Sequence, residues 1–126
     1  MILNYSFPEF EPMILDGRKK HSIRTPGRWK EGMTIHHSYG MRTPRYRCFL
    51  KNICTGVQKI EFVYPEYEIT LIPCHIYIDG IERGAFTVMK LIINDGFIGF
   101  DKLQRFFNFF NKSCVKEIIH WTNLKY

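Results

Sequence analysis

Short segments rich in β-branched and aromatic residues, separated by glycine, proline and aspartate, recur through most of this chain. Such segments favour β-strands, and the residues between them favour turns. The dipeptide Asp79-Gly80 is typical of a two-residue hairpin turn and predicts a hairpin tip in HIYIDGIERG. The other predicted strands are MILNYSF, HSIR, MTIHHSY, RYRCFLKNI, VQKIEFVY, YEITLI and VKEIIHWTNLKY.

Helical spacing is confined to three places. Phe10, Met13 and Ile14 follow the i, i+3, i+4 pattern and predict a helix that ends at Gly17, while Pro12 keeps that helix short. The segment FTVMKLIIND fits a helix or a buried strand equally well. After it, FDKLQRFFNFFN predicts the clearest helix, because its apolar residues recur on one stripe. That stripe consists of Phe100, Leu103, Phe107 and Phe110.

These elements define the expected architecture. About six short strands with two or three short helices predict an α+β fold, arranged as a small mixed β-barrel or a curled sheet. The 126 residues have the size of one ordinary domain, and no repeat or Ser/Gly linker divides them, so we predict a single domain over residues 1–126. The opening residues MILNYSFPEF show no basic leader followed by an apolar region. No apolar stretch approaches the roughly 18 residues that a membrane span requires. We therefore expect a cytoplasmic protein with no membrane partner.

Cysteine and histidine spacing gives no metal-binding pattern. The four cysteines include no C-x-x-C pair, which predicts reduced, packed thiols rather than a zinc site or a disulfide framework. His36 and His37 are adjacent and would face opposite sides of a strand. His21, His75 and His120 have no partner at ligand spacing. We expect neither a metal ion nor another cofactor.

Positive charge is concentrated in residues 17–51. This segment holds ten of the eighteen Lys and Arg residues and one acid, Glu31, so it carries +9 while the rest of the chain carries −3. Such a distribution creates a positive potential suited to a phosphate backbone or another anionic ligand. A basic face that only aids solubility is the alternative.

Aromatic residues interleave with these basic residues. Cations bind phosphates and exposed aromatic faces stack on unpaired bases, so the mixture is typical of RNA binding. The aromatics would alternatively be core residues whose basic neighbours point to water. The candidate contacts to RNA or a nucleotide are Arg24, Arg28, Trp29, Lys30, Arg45 and Tyr46.

The segment DGRKKHSIR contains candidates for nucleophilic catalysis. On a strand, Ser22 and Arg24 share one face, and Lys19 lies where the strand begins. A lysine whose pKa is lowered can act as the base that activates a serine hydroxyl, which is otherwise a weak nucleophile. The strand period turns His21 away from Ser22, so we expect His21 to contribute least.

Asp95 is the acidic residue that best fits such a site. It precedes Gly96 at a predicted helix end, from which a loop can aim a carboxylate into a cleft. A carboxylate that only stabilises this turn, and a solvated basic turn around Lys19, explain the same residues without chemistry.

A family resemblance involves the same residues. FEPMILDGRKKHSIR followed by RWKEGMTI resembles the opening of ASCH domains in the PUA-like superfamily: an apolar helix, G-x-K-x-x-[T/S/E]-x-R, a basic residue and a K-x-G-D turn. The matching residues are Gly17, Lys19, Ser22, Arg24, Lys30 and Gly32, with Met33 in the place of Asp. NDGFIGFDKLQRFFNFF resembles the family's acidic-Gly-Phe segment and following helix, and IIHWTNLKY resembles its closing strand.

The resemblance implies a PUA-like β-barrel whose cleft, lined by residues 17–24, binds RNA or a nucleotide or nucleoside. One similar branch consists of amidohydrolases that remove the acetyl group from acetylcytidine with a Lys, a Thr three residues later and a downstream Glu. Lys19 and Ser22 correspond to the first two, and Asp95 lies near the position of the third. Deacylation of an N-acylated pyrimidine nucleoside is therefore the alternative function that the resemblance implies.

Overall fold

The computed structural model describes residues 1–66 and 72–126, which form eight strands and three helices. The strands are β1 (Ile2–Tyr5), β2 (His21–Arg24), β3 (Thr34–Tyr39), β4 (Arg47–Ile53), β5 (Gly56–Val63), β6 (His75–Ile78), β7 (Ile81–Glu82) and β8 (Cys114–His120). The helices are α1 (Phe10–Leu15), α2 (Ala85–Asn94) and α3 (Lys102–Phe109). The predicted strand YEITLI lies outside the described residues except for its last position. Within the described ranges, no helix has the length and apolar character needed to cross a bilayer.

The described strands form two sheets rather than a closed barrel. One sheet has three strands in the order β1-β3-β4, with β1 parallel to β3 and β4 antiparallel to it. The other has five antiparallel strands in the order β2-β8-β5-β6-β7. The predicted α+β fold is confirmed, and the predicted barrel is not. The described strands number eight where about six were expected, and Asp79 and Gly80 form the predicted hairpin tip between the short strands β6 and β7.

One hydrophobic core draws its side chains from both sheets and from all three helices. Burial along β5 follows the strand period, since Ile60 and Phe62 are fully buried and Lys59 between the buried positions is exposed. Phe106 of α3 is also fully buried, with its ring 6.1 Å from that of Phe62. Burying an aromatic side chain of this size contributes about 1.5–3 kcal/mol.

The predicted stripe on α3 is partly wrong. Phe107 and Phe110 are buried as expected, but Phe100 is fully exposed. The helix begins at Lys102, so Phe100 precedes it and helical spacing does not apply there. Phe106, absent from the predicted stripe, is instead fully buried.

Two helix ends bring distant segments together. Gly17, with a φ of +86°, ends α1 as predicted and turns the chain toward β2. FTVMKLIIND proves to be helical, and α2 ends beside this turn, where the Lys20 amide donates to the Asn94 carbonyl at 2.8 Å. The Lys19 amide also donates to the Met13 carbonyl at 3.0 Å. The segment that begins at Gly17 is thereby held against the end of α2.

Candidate functional site

A cavity of about 90 Å³ lies where α1, β1, β2 and the segment after α2 meet. Aromatic side chains supply much of its wall: Tyr5, Phe7, Phe10, Phe97, Phe109 and Phe110. Its charged and hydroxyl-bearing residues are Lys19, Ser22, Arg24, Asp95 and Ser6. The three predicted catalytic residues and one predicted ligand contact, Arg24, therefore line the same cavity.

Lys19 is bound to Asp95 inside this cavity. Its Nζ donates to the Asp95 carbonyl oxygen at 2.6 Å and to Asp95 Oδ1 at 3.2 Å, and the lysine is only 1% exposed. The same Nζ lies 4.4 Å from the centre of the Phe10 ring. Burial lowers the pKa of Lys19, and the nearby Asp95 carboxylate opposes that shift. The buried pair contributes no net charge to the cavity.

Ser22 is held by Arg24 rather than by Lys19. The two residues lie on one face of β2, as the strand period predicts, and Arg24 Nε donates to Ser22 Oγ at 2.9 Å. Among the described residues, Ser22 Oγ has no hydrogen bond to Lys19 Nζ. The structure thus brings Lys19, Ser22 and Asp95 together without forming the contact between base and nucleophile.

Arg24 reaches the cavity with much of its hydrogen-bonding capacity unused. Its guanidinium carbon lies 5.2 Å from the centre of the Tyr5 ring. Burial lowers the pKa of Arg24, although an arginine in a protein keeps its charge. Within the described part of the chain, its two terminal nitrogens have no hydrogen-bond partner. Arg24 therefore offers a free pair of charged donors.

His21 contacts the site from the other side of the strand, through Asp95. It is fully buried, and its Nδ1 lies 3.2 Å from Asp95 Oδ1. Its Nε2 accepts from the Tyr126 hydroxyl at 2.6 Å, and Asn94 donates to that hydroxyl at 3.2 Å. Because the carboxylate only accepts, the ring proton lies on Nδ1. Burial lowers the pKa of His21, which favours this neutral form.

The direction that the strand period assigns to His21 is consistent with this contact. His21 points away from Ser22 and toward the end of α2, where Asp95 lies. What the sequence pattern could not show is that α2 ends on that side of the strand. No spacing signal connects His21 with Tyr126, which lies 105 residues further along the chain.

A second buried network orients the Tyr5 ring. The Tyr5 hydroxyl donates to His37 Nδ1 at 2.7 Å, and His37 Nε2 donates to Asn52 Oδ1 at 2.8 Å. Burial lowers the pKa of His37 to about 4, so the ring is neutral at neutral pH. Burial also raises the pKa of Tyr5, which keeps its proton. These contacts were not predicted from the sequence.

An open groove of about 580 Å³ adjoins the cavity. Asn4, Tyr5 and Ser6 line both, and Arg45 contributes to the groove alone. Tyr46, the next residue, is 44% exposed, and its hydroxyl lies 3.2 Å from Ser38 Oγ. Arg45 is thus placed beside the cavity rather than in it.

The remaining predicted ligand contacts lie in the loop between β2 and β3. Arg28 and Lys30 are exposed there, and neither lines the cavity. Trp29 is partly buried and packs against the hydrophobic core. This position agrees with the alternative in which Trp29 is a core residue with solvated neighbours.

Neither the cysteines nor the histidines form a metal site in the described part of the chain. No group of three or more His, Cys, Asp or Glu side chains is placed there to hold a metal ion. Cys48, Cys54, Cys74 and Cys114 are all free thiols. The hydrogen bonds described above account for His21 and His37.

Comparison of the chain with protein-family models, with curated proteins and with solved structures found no match. What the cavity binds has to follow from the residues that line it. Those residues combine an aromatic wall, a neutral Lys19–Asp95 pair and a hydroxyl beside a guanidinium with two free nitrogens.

Proposed function

We propose that this protein binds RNA or a nucleotide or nucleoside in the cleft made by the cavity and the adjoining groove. The observation that carries the proposal is the lining of the cavity, where aromatic rings meet the donors of Lys19, Ser22 and Arg24. Tyr5 and Tyr39 line the groove, where aromatic faces can stack on a base, and the charged donors of the cavity can bind phosphate oxygens. The basic residues of segment 17–51 add a long-range attraction for an anionic ligand.

The cavity and the groove differ in size, so each would hold a different part of the ligand. Sites for whole small molecules usually measure about 300–1,000 Å³. The cavity, at about 90 Å³, admits one chemical group, whereas the groove of about 580 Å³ has room for the rest. Asn4, Tyr5 and Ser6 form the boundary between the two, so a ligand that enters the cavity continues along them.

The resemblance to ASCH domains supports the same function. Lys19, Ser22 and Arg24 of the matching pattern line the cavity, as expected of a cleft-forming segment. We extend the proposal to the fold, in which the two sheets would correspond to the barrel of a PUA-like domain. The proposed location is the cytoplasm, supported by four free cysteines.

Equilibrium binding of a short single-stranded RNA and of cytidine tests the proposal. We expect RNA affinity to fall steeply as salt rises, because bound phosphates release counterions. Arg24→Gln is expected to weaken binding about tenfold or more, since it removes a charged donor from the cavity. Arg18→Gln is the matched control, because Arg18 is exposed, pairs with Asp16 and lies outside the cavity. The proposal fails if neither probe binds at low salt.

A second candidate function is deacylation of an N-acylated pyrimidine nucleoside. It is favoured by one observation: Lys19, whose pKa is lowered by burial, shares the cavity with Ser22 and Asp95. In this reaction Ser22 Oγ would attack the acyl carbon and give up its proton to a base. The nucleoside amine would leave with a proton, and water would then release the acid from the acyl-serine.

Release of acetate from acetylcytidine tests this second function. We expect turnover by the wild type and its loss in Ser22→Ala and in Lys19→Met. Arg18→Gln again serves as the control for charge. The enzymatic assignment is excluded if the wild type releases no acetate or if Ser22→Ala keeps full activity.

A further inference from the structure

Arg24 supplies a positive charge to the cavity that no carboxylate in the described residues neutralises. The other basic residue in the lining, Lys19, is paired with Asp95 at 3.2 Å. Arg24 makes no ion pair within the described ranges, and its hydrogen bond goes to the uncharged Ser22 hydroxyl. With the Lys19–Asp95 pair neutral overall, the lining carries a net charge of one positive unit.

Holding such a charge in a partly buried site is costly unless something compensates for it. The face of the Tyr5 ring, 5.2 Å away, attracts the guanidinium but accepts no strong hydrogen bond from it. The two terminal nitrogens of Arg24 remain without a protein partner among the described residues. Neither nitrogen is among the enclosed unpaired polar atoms of the described residues, so both are open to a ligand, and a bound anion would pair with them.

We propose that the cavity binds an oxyanion, namely the terminal phosphate of a nucleotide or of an RNA end. This inference rests on the proposed function and names the group of the ligand that enters the cavity. The remainder of the ligand would follow Asn4, Tyr5 and Ser6 into the groove, where Arg45 lies.

The available donors match a phosphate group. Arg24 can donate from both terminal nitrogens, a pairing that suits two oxygens of one phosphate. Because Ser22 Oγ already accepts from Arg24 Nε, its own hydrogen is available to donate outward. Lys19 Nζ uses two donors on Asp95, which leaves a third when the amine is protonated. The acidic group in the lining, Asp95, is held by Lys19 and His21.

The size of the cavity favours a terminal phosphate over an internal one. A volume of about 90 Å³ is smaller than the roughly 150 Å³ of a cavity that binds benzene, which suits a group of about five heavy atoms. An internal phosphodiester continues into a nucleoside on both sides, whereas a terminal phosphate does so on one side only. A ligand with one continuation fits a small cavity beside a single groove.

The first test uses the wild-type protein and two RNAs of identical sequence, one with a 5′-phosphate and one with a 5′-hydroxyl. A third RNA carries a 3′-phosphate, which distinguishes the two ends. We expect one phosphorylated end to bind about 10- to 100-fold more tightly than the hydroxyl form, the usual gain for hydrogen bonds to a charged group. Inorganic phosphate should compete away this preference.

Variants test whether the cavity is responsible for the preference for a phosphorylated RNA end. Arg24→Gln and Ser22→Ala are expected to remove the discrimination between phosphate and hydroxyl, while Arg18→Gln keeps it. Thermal unfolding of each variant shows whether it is folded. If Arg24→Gln does not fold, the comparison of the three RNAs on the wild-type protein still tests the phosphate site.

Each outcome separates this inference from the function on which it rests. Equal affinity of the wild type for all three RNAs overturns the terminal-phosphate site and leaves RNA binding standing. Binding of inorganic phosphate that depends on Arg24, without binding of any RNA, supports the oxyanion site and contradicts RNA binding. Failure of every probe overturns both.

Discussion

Replacing Asp95 with asparagine tests the central contact of the site. Asp95 Oδ1 lies 3.2 Å from both Lys19 Nζ and His21 Nδ1, and the Asp95 and Lys19 side chains are 5% and 1% exposed. Asparagine keeps the size and one oxygen acceptor but removes the charge. Removing one partner of a buried ion pair costs about 3–5 kcal/mol, because the other charge stays buried.

Two features of the structure place the expected cost at the lower end of that range. The hydrogen bond from Lys19 Nζ to the main-chain oxygen of residue 95, at 2.6 Å, does not depend on the side chain. Burial already lowers the pKa of Lys19 from its ordinary value of 10.5, so without the carboxylate the amine can lose its proton. We expect Asp95→Asn to lower the free energy of unfolding by about 3 kcal/mol.

Urea unfolding followed by circular dichroism measures this change, and the melting temperature should fall by roughly 10 °C. The control is a double-mutant cycle with Lys19→Met, which removes the charge that Asp95→Asn leaves behind. We expect the double variant to be more stable than the sum of the single effects predicts, by about 1–3 kcal/mol.

The pH dependence provides an independent check. The pKa of Lys19 in the folded Asp95→Asn protein lies further below 10.5, the ordinary value, than in the wild type. Between the pKa of Lys19 in the folded variant and the ordinary value of 10.5, the unfolded variant binds more protons than the folded one. The stability of the variant therefore rises with pH in this range. The deficit of Asp95→Asn should therefore shrink as the pH rises toward 10.5. A deficit below about 1 kcal/mol, or strict additivity in the cycle, would refute the buried ion pair.

Three further changes are expected to be measurable. Gly96→Ala should destabilise the fold by about 1–3 kcal/mol in urea unfolding, because Gly96 has a φ of +100° and a Cβ there would lie 2.8 Å from the Phe10 ring. Tyr126→Phe should cost about 1–3 kcal/mol by the same assay, because it leaves buried His21 Nε2 without its donor at 2.6 Å. Acid should destabilise the protein through His120, whose pKa is lowered by burial from 6.5 to about 3. The unfolded chain takes up this proton first, so stability falls by about 1.4 kcal/mol per pH unit across that window.

A control variant or a contrary result tests each of these three predictions. Gly27→Ala, in the loop after β2, should change stability little, because the nearest atom to an added Cβ, the Thr25 carbonyl oxygen, lies 3.8 Å away in ordinary van der Waals contact. Equal effects of the two glycine substitutions would contradict the crowding at Gly96. His120→Gln should make the acid dependence shallower, with the share of His37 remaining, and an unchanged slope would assign that dependence to other groups. A Tyr126→Phe protein as stable as the wild type would show that the hydroxyl contact contributes nothing.

Local features of the site were predictable from the sequence. Strand alternation placed Ser22 and Arg24 on one face, and the glycine after α1 marked the turn that leads to Lys19. These predictions succeeded because they depend on geometry within a few residues. The segment that became α2 stayed ambiguous, because a run of apolar residues fits a buried strand as well as a helix.

Long-range features were not predictable. Local spacing cannot show that Lys19 Nζ binds Asp95 instead of Ser22, or that Tyr126 closes the network around His21. These contacts join residues 76 and 105 positions apart, and they depend on which sheet edge each element meets. The strand order of the larger sheet also depends on contacts between segments distant in sequence, so local spacing could not predict it.

That strand order has a consequence for how the chain assembles. β8 follows every other strand in the sequence, yet it lies between β2 and β5 in the five-stranded sheet. Until β8 has been synthesised, β2 has no sheet partner, and one edge of β5 carries unpaired backbone groups that invite association with other chains. The sheet that carries Ser22 and Arg24 into the cavity can therefore close only once β8 is free to pair. Released chains that stop before residue 114 should remain open to proteases at β2, whereas released chains extended through His120 should become resistant.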